Sequence, residues 1–173
     1  AEDMGIVKFS DLMKQSMAKY HPRPFYIFGD PAGDHRVQTD ESTPFQILRG
    51  KGITARPAPS NDVTLRIESV ATCLNRMVDG ESGILIDKSC INLLRGFAGG
   101  YHYRRLQVSG ERYDERPNKN RFSHIHDALQ YLLLGAGEGR SLTAGNKYSK
   151  PIIAKRNFNV FNVKPKNIYE RRR

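Results

Sequence analysis

Three aspartates carry most of the chemistry that this sequence suggests. Asp30 follows the apolar run Phe25-Tyr26-Ile27-Phe28-Gly29, Asp87 ends Ile84-Leu85-Ile86, and Asp127 lies in the first turns of a predicted helix, His124-Ile125-His126-Asp127-Ala128-Leu129. Each has an ordinary structural role open to it. Asp30 before Pro31-Ala32-Gly33 suits an Asx turn. Asp87 can cap or pre-charge a helix beginning at Ser89, and Asp127 gains from the dipole at a helix start. Together they suit something sharper. Carboxylates at the carboxyl ends of neighbouring parallel strands point into one crevice, and a third from a helix start can close over it. Grouped carboxylates repel and need cations, and hard oxygen ligands select Mg²⁺ or Mn²⁺. Two such ions can cleave a phosphodiester by in-line attack of water.

The elements that must position these residues are read from periodicity. Ser10 to Tyr20 predicts a helix stopped by His21-Pro22-Arg23-Pro24. Phe25 to Gly29 predicts a buried strand, Val37 to Gly50 one or two more strands, and Gly52 to Arg56 another. Asp62 to Val78 predicts the clearest helix, with Val63, Ile67, Val70, Leu74, Met77 and Val78 as its apolar stripe, Ser60 or Asn61 as its cap, and Gly80 ending it. Gly83 to Asp87 predicts a second buried strand. Ser89 to Phe97 predicts a short helix, Tyr101 to Asn120 a hairpin, and Ser123 to Leu134 a last helix with Ser123 as cap. That order implies an α/β domain with a mixed central sheet. There is no internal repeat.

The 173 residues suffice for one domain with a core. No apolar run reaches the length of a membrane span, and residues 1–5 lack the pattern of a signal peptide. The chain does not begin with Met, so a processed chain or a piece of a longer one is expected. Cys73 and Cys90 are too few for a disulfide framework and form no CxxC pair. A thiolate zinc site is therefore excluded, and both read as small buried thiols in a reducing compartment. Walker A, GxSxG and strand-linked GxGxxG patterns are absent. Gly135-Ala136-Gly137-Glu138-Gly139 follows a helix and reads as a hinge and domain boundary.

A net charge of +10 points to an acidic partner, most simply nucleic acid. Most of the excess lies in residues 137–173, which hold ten basic and two acidic residues. That tail, rich in Gly, Ser, Asn and Lys, is expected to be mobile alone. Within it, Asn157-Phe158-Asn159-Val160-Phe161-Asn162-Val163 is apolar enough to order against a partner. In the expected hairpin, basic and aromatic residues interleave (Tyr101, Tyr103, Arg104, Arg105, Arg112, Tyr113, Arg116). This suits either a DNA-contacting flap or a charged edge that blocks aggregation.

Phe28-Gly29-Asp30-Pro31-Ala32-Gly33, Ile84-Leu85-Ile86-Asp87 and Ser123-His124-Ile125-His126-Asp127-Ala128-Leu129-Gln130-Tyr131 together resemble the C-terminal nuclease domain of terminase large subunits from tailed phages, closest to short-tailed, headful-packaging phages. The likeness covers roughly residues 25–134. It implies a ribonuclease H-like fold, a mixed central sheet flanked by helices with an added hairpin and a basic C-terminal tail. It divides the chain into a connector helix (1–24), a nuclease domain (25–136) and a tail (137–173). It implies a metal-dependent endonuclease that cuts concatemeric double-stranded viral DNA during packaging, with low sequence preference. By that likeness Asp30, Asp87 and Asp127 match the metal-binding carboxylates for two Mg²⁺ or Mn²⁺ ions. His124, three residues before Asp127, matches an assisting histidine, and a surface histidine is its plain alternative. His126 projects away from Asp127 in a helix. Asp34 is a spare ligand or a solvated loop residue. Lys88 joins Arg104, Arg105, Arg112 and Arg116 as expected DNA contacts.

The implied partners are double-stranded DNA, the terminase ATPase domain, the terminase small subunit and the capsid portal protein, the last through the tail. The implied setting is the host cell cytoplasm, with no membrane. The family's motor ATPase is not in this chain, so an excised domain is expected. The rival readings are another ribonuclease H-like enzyme (a transposase or junction resolvase), a non-catalytic DNA- or portal-binding module, and an assembly adaptor acting through its tail.

Overall fold

The computed structural model describes residues 4–22, 25–35, 42–106 and 112–138. These form a mixed α/β arrangement of five α-helices and three two-stranded sheets. A larger central sheet joining the strands is not among the described residues.

Helix α1, Ile6–Ala18, begins four residues earlier than its periodicity predicts and lays Ile6 and Met13 on the core. Strand β1, Ile27–Gly29, runs parallel to β2, Ala55–Pro57, in the register Ile27↔Ala55 and Gly29↔Pro57. Between them, the strands expected over Val37–Gly50 are replaced where the chain is described by helix α2, Pro44–Gly50. The reason is local. Thr43 Oγ1 accepts from Gln46 N while Thr43 N donates to Gln46 Oε1, a capping box, and Pro44 presets the first helical residue. Phe45 and Leu48, three residues apart on one helical face, then join Ile53 and Ala55 in the core cluster.

Helix α3, Val63–Asn75, is capped by Asp62, whose Oδ1 accepts from Leu65 N at 2.9 Å, rather than by Ser60 or Asn61. Its buried face is also rotated from the expected stripe. It comprises Arg66, Ser69, Val70 and Cys73, while Leu74 and Met77 are exposed. The helix ends before Met77. Met77–Val78 (β3) and Glu81–Ser82 (β4) form a tight antiparallel hairpin instead. Asp79 and Gly80 both have positive φ at its turn, a conformation that Asp and Gly tolerate.

Residues 84–87, expected as a buried strand, have no regular structure, and Leu85 is 74% exposed. So short an apolar run cannot form a strand without a partner edge, and none lies beside it among the described residues. Helix α4, Ile91–Arg95, starts later than Ser89 and has no side-chain cap; a π-turn, Gly96–Gly100, follows it. Cys73 is buried, but Cys90 is exposed, which corrects the expectation that both thiols are interior.

The expected hairpin forms from β5, Tyr103–Arg105, and β6, Tyr113–Pro117, in antiparallel pairing. Helix α5, Ser123–Ala136, packs on α3 and β1 and ends at Gly137 in the left-handed conformation. Ser123 does not cap it: its hydroxyl donates back to Asn120 O at 2.7 Å. The predicted tail, with Asn157–Val163, lies outside the described residues beyond Glu138. No helix among the described residues is long and apolar enough to cross a membrane.

Candidate active site

Strand β1 carries Asp30 out of its carboxyl end into a single 3-10 turn, Pro31–Asp34, whose start Asp30 caps: its Oδ1 accepts from Ala32 N at 2.9 Å. The Asx-turn role and the crevice placement therefore hold for the same residue. Asp127, in the second turn of α5, is held by two cations. Arg66 Nη1 lies 3.2 Å from Oδ1 and Lys119 Nζ 2.7 Å from Oδ2. These partners differ sharply, since the Arg66 side chain is 6% exposed and that of Lys119 71%.

Tyr131, one helical turn past Asp127, completes the constellation. Its ring lies under the Arg66 guanidinium, 4.5 Å from centroid to Cζ, and its hydroxyl donates to Asn61 Oδ1 at 2.6 Å. Burial first, and then the hydrogen bond and negative charge of Asp30, push the Tyr131 phenol up to about 12. The ring therefore stays neutral and keeps its proton.

Asp30 and Asp127 line one cleft of about 510 Å³, together with Arg66, Tyr101, Glu115, Arg116, Lys119 and Tyr131. Asp30, Asp127 and Tyr131 also line a neighbouring, more apolar pocket of about 400 Å³. His124, itself exposed, lies in the wall of that second pocket together with both carboxylates, and does not line the first cleft.

Asp87 does not line either cavity. It is exposed, its Oδ1 accepts from Ser89 N at 2.8 Å, and the Ser89 hydroxyl and amide hold its carboxyl below its usual range. The structure thus gives Asp87 the local turn role that its sequence also allowed. Because 84–87 do not run as a strand beside β1, nothing carries Asp87 to the crevice. Among the described residues no group of three His, Cys, Asp or Glu side chains converges to hold a metal ion. Lys88 is exposed beside Asp87, and Asp34 is exposed on its turn. Arg116 reaches the cleft. Arg104, Arg105 and Arg112 are exposed on the hairpin and do not line it.

His126 is structural. It is 3% exposed, its Nε2 lies 3.2 Å from Leu93 O, its ring stacks on Tyr101 at 4.6 Å, and it meets the edge of Phe97 at 4.7 Å. Burial lowers its pKa. The close approach needs Gly96, because a Cβ there would overlap the His126 ring. The packing fixes the start of α5, and with it the placement of Asp127.

Reasoning from sequence did not single out Arg66, Asn61, Glu115, Lys119 or Tyr131 as site residues. Tyr131 was within reach of it, four residues after Asp127 and so on the same helical face. Arg66 shares a face with Ser69, Val70 and Cys73, but a basic residue in an amphipathic helix ordinarily reads as solvated. Comparison with models of known protein families, with curated proteins and with solved structures finds no match.

Proposed function

We propose that the chain is a metal-dependent endonuclease domain of ribonuclease H-like type that hydrolyses double-stranded DNA with little sequence preference. The observation that carries this reading is the convergence of Asp30 and Asp127, from distant parts of the chain, on one cleft that also presents Arg116 and Lys119. Mg²⁺ commonly binds through one or two carboxylates, with water and substrate phosphate oxygens completing its shell. Asp30 and Asp127 suit one such ion, Mg²⁺ or Mn²⁺, and a second would need further donors. A bound ion supplies Lewis-acid stabilisation and a more acidic water. The chain's own residues do the rest. Asp30 and Asp127 set the ion's position, and Arg116 and Lys119 draw the phosphodiester backbone into the cleft. His124, in the wall of the second pocket that both carboxylates also line, is the group we assign to proton uptake, which it would perform on the attacking water. Phosphate contacts position a duplex without reading its bases, hence the low preference.

The resemblance in sequence supports the wider setting: cutting of concatemeric viral DNA in the host cytoplasm, beside a terminase ATPase domain and small subunit, with residues 137–173 reaching the portal. A second reading has its own support. Arg66 and Lys119 neutralise Asp127 without any metal, as suits a cleft that binds DNA and does not cut it.

Plasmid cleavage by the purified chain in EDTA, Mg²⁺ or Mn²⁺ decides between them, with Asp30→Asn and Asp87→Asn alongside. Metal-dependent cleavage that is lost in Asp30→Asn and kept in Asp87→Asn is the expected result. Salt-sensitive DNA binding without cleavage in any metal selects the binding module.

A further inference from the structure

Arg66 is a cation that α3 buries on its core face, where an apolar residue of similar volume would serve packing as well or better. Its Nε is buried with no partner among the described residues, so the guanidinium is not there to complete a hydrogen-bond network in the core. What it does have is a fixed geometry: stacking on the Tyr131 ring and an ion pair to Asp127 Oδ1. A planar guanidinium gripped on its face and at one edge has little rotamer freedom left. It therefore anchors Asp127 Oδ1 at a fixed point. The same Tyr131 donates its hydroxyl proton to Asn61 Oδ1, and it lines both cavities together with Asp30 and Asp127, so the packed unit borders both carboxylates. The cation on the other oxygen is of a different kind. Lys119 comes from the loop before α5 and is largely solvated, so its hold on Oδ2 is exchangeable.

We propose that Arg66 is a positioning residue for the Asp30–Asp127 pair. It locks Asp127 Oδ1 so that Oδ2 faces the cleft, where a divalent ion takes the place of Lys119. The inference rests on the metal-nuclease reading above and adds to it a division of labour between the two cations on Asp127.

The test is calorimetric titration of Mn²⁺ into the full chain and its variants, with circular dichroism and melting curves recorded for each. Arg66→Lys keeps the charge and loses the fork and the stacking. It should weaken Mn²⁺ binding about tenfold, as loss of a partner that orients a metal ligand commonly does. Lys119→Gln removes a competing charge and should tighten binding about two- to fivefold. A purely structural Arg66 would shift the melting curve and leave the Mn²⁺ affinity of the folded protein alone, and that result overturns the inference. If Arg66→Lys does not fold, Tyr131→Leu decides in its place. It removes the ring beneath the guanidinium while leaving Arg66 and Asp127 in the chain, and should weaken Mn²⁺ binding about threefold; wild-type affinity in the folded variant refutes the positioning role. Mn²⁺ binding that neither Asp30→Asn nor Asp127→Asn weakens, or no binding at all, removes the metal reading and this inference together. Binding that needs both aspartates but ignores Arg66 and Lys119 removes the inference alone.

Discussion

Asp127→Asn should unfold the protein more easily, and this matters for any mutational test of the site. At 3.2 Å and an effective dielectric near 20, Coulomb's law gives about 5 kcal/mol for the Arg66–Asp127 pair. Desolvation of both groups offsets much of that. Removing one partner, however, strands the other as a buried charge, at about 3–5 kcal/mol. Two features favour the lower end. An Asn carbonyl still accepts from Arg66 Nη1, and the Asp127 side chain is 17% exposed, so water reaches it in part. We expect Asp127→Asn to cost about 3 kcal/mol. Asp30 is exposed, and an Asn there can still accept from Ala32 N, so Asp30→Asn should lie within about 0.5 kcal/mol of wild type. Urea unfolding midpoints at a common slope measure both. The double variant Arg66→Met with Asp127→Asn should recover about 2 kcal/mol relative to the sum of the single variants, because the stranded charge is gone. An Asp127→Asn protein as stable as wild type, or strictly additive single variants, would refute the buried-pair account. If the account holds, lost cleavage in Asp127→Asn mixes chemistry with folding, and Asp30→Asn is the cleaner probe.

Two further outcomes follow from the packing behind α5. Gly96→Ala sets a methyl group against the His126 ring and breaks its bond to Leu93 O, which should cost about 3 kcal/mol and lower Tm by roughly 10 °C; an unchanged melting curve contradicts that packing. His126 also makes the fold acid-sensitive. Its folded pKa is lowered, chiefly by burial and despite the opposing Leu93 carbonyl and Asp127 charge. The unfolded chain therefore takes up the proton first as pH falls. Stability is fully present above about pH 6.5 and declines below it. His126→Phe should flatten Tm between about pH 7 and pH 5, and an undiminished slope would assign the effect to other groups.

Segments with strong local chemistry were legible as sequence. Helices α3 and α5 follow from apolar spacing, and the β5–β6 hairpin from alternation around a polar tip. Helix α2 carried its own signal, Thr43-Pro44 with Gln46 three residues after the cap, but its mixed pattern of apolar and polar residues reads equally as a strand. At Ile84-Leu85-Ile86 three apolar residues in a row suggest burial, yet burial needs a neighbouring edge, which no local pattern encodes. The rotation of α3 has a similar origin. Its apolar stripe and its buried face are both helical faces, and which one turns inward depends on where α5 lies.

The candidate site divides along the same line. Asp30 and Asp127 were legible because each sits where an element ends or begins, and such positions are set by local sequence. Asp87 satisfied the same criterion and still stands apart, since its capping of the Ser89 turn needs only two residues whereas a place in the crevice needs a strand beside β1. Arg66 was hidden for the opposite reason. Val63 and Val70 flank it one helical turn away, but a basic residue among them reads as solvated, and its ion-pair partner lies 61 residues away. Local sequence thus places carboxylates at the mouth of a cleft, while only the packed fold shows which one is held rigid and by what. A buried arginine beside a carboxylate is stabilising only when that carboxylate is charged, and a charged carboxylate in a partly buried cleft needs a cation close by. Arg66 and Lys119 fill that need in two ways, one fixed and one exchangeable. On the metal-nuclease reading proposed above, the fixed one would hold Asp127 ready and the exchangeable one would give way to a divalent ion.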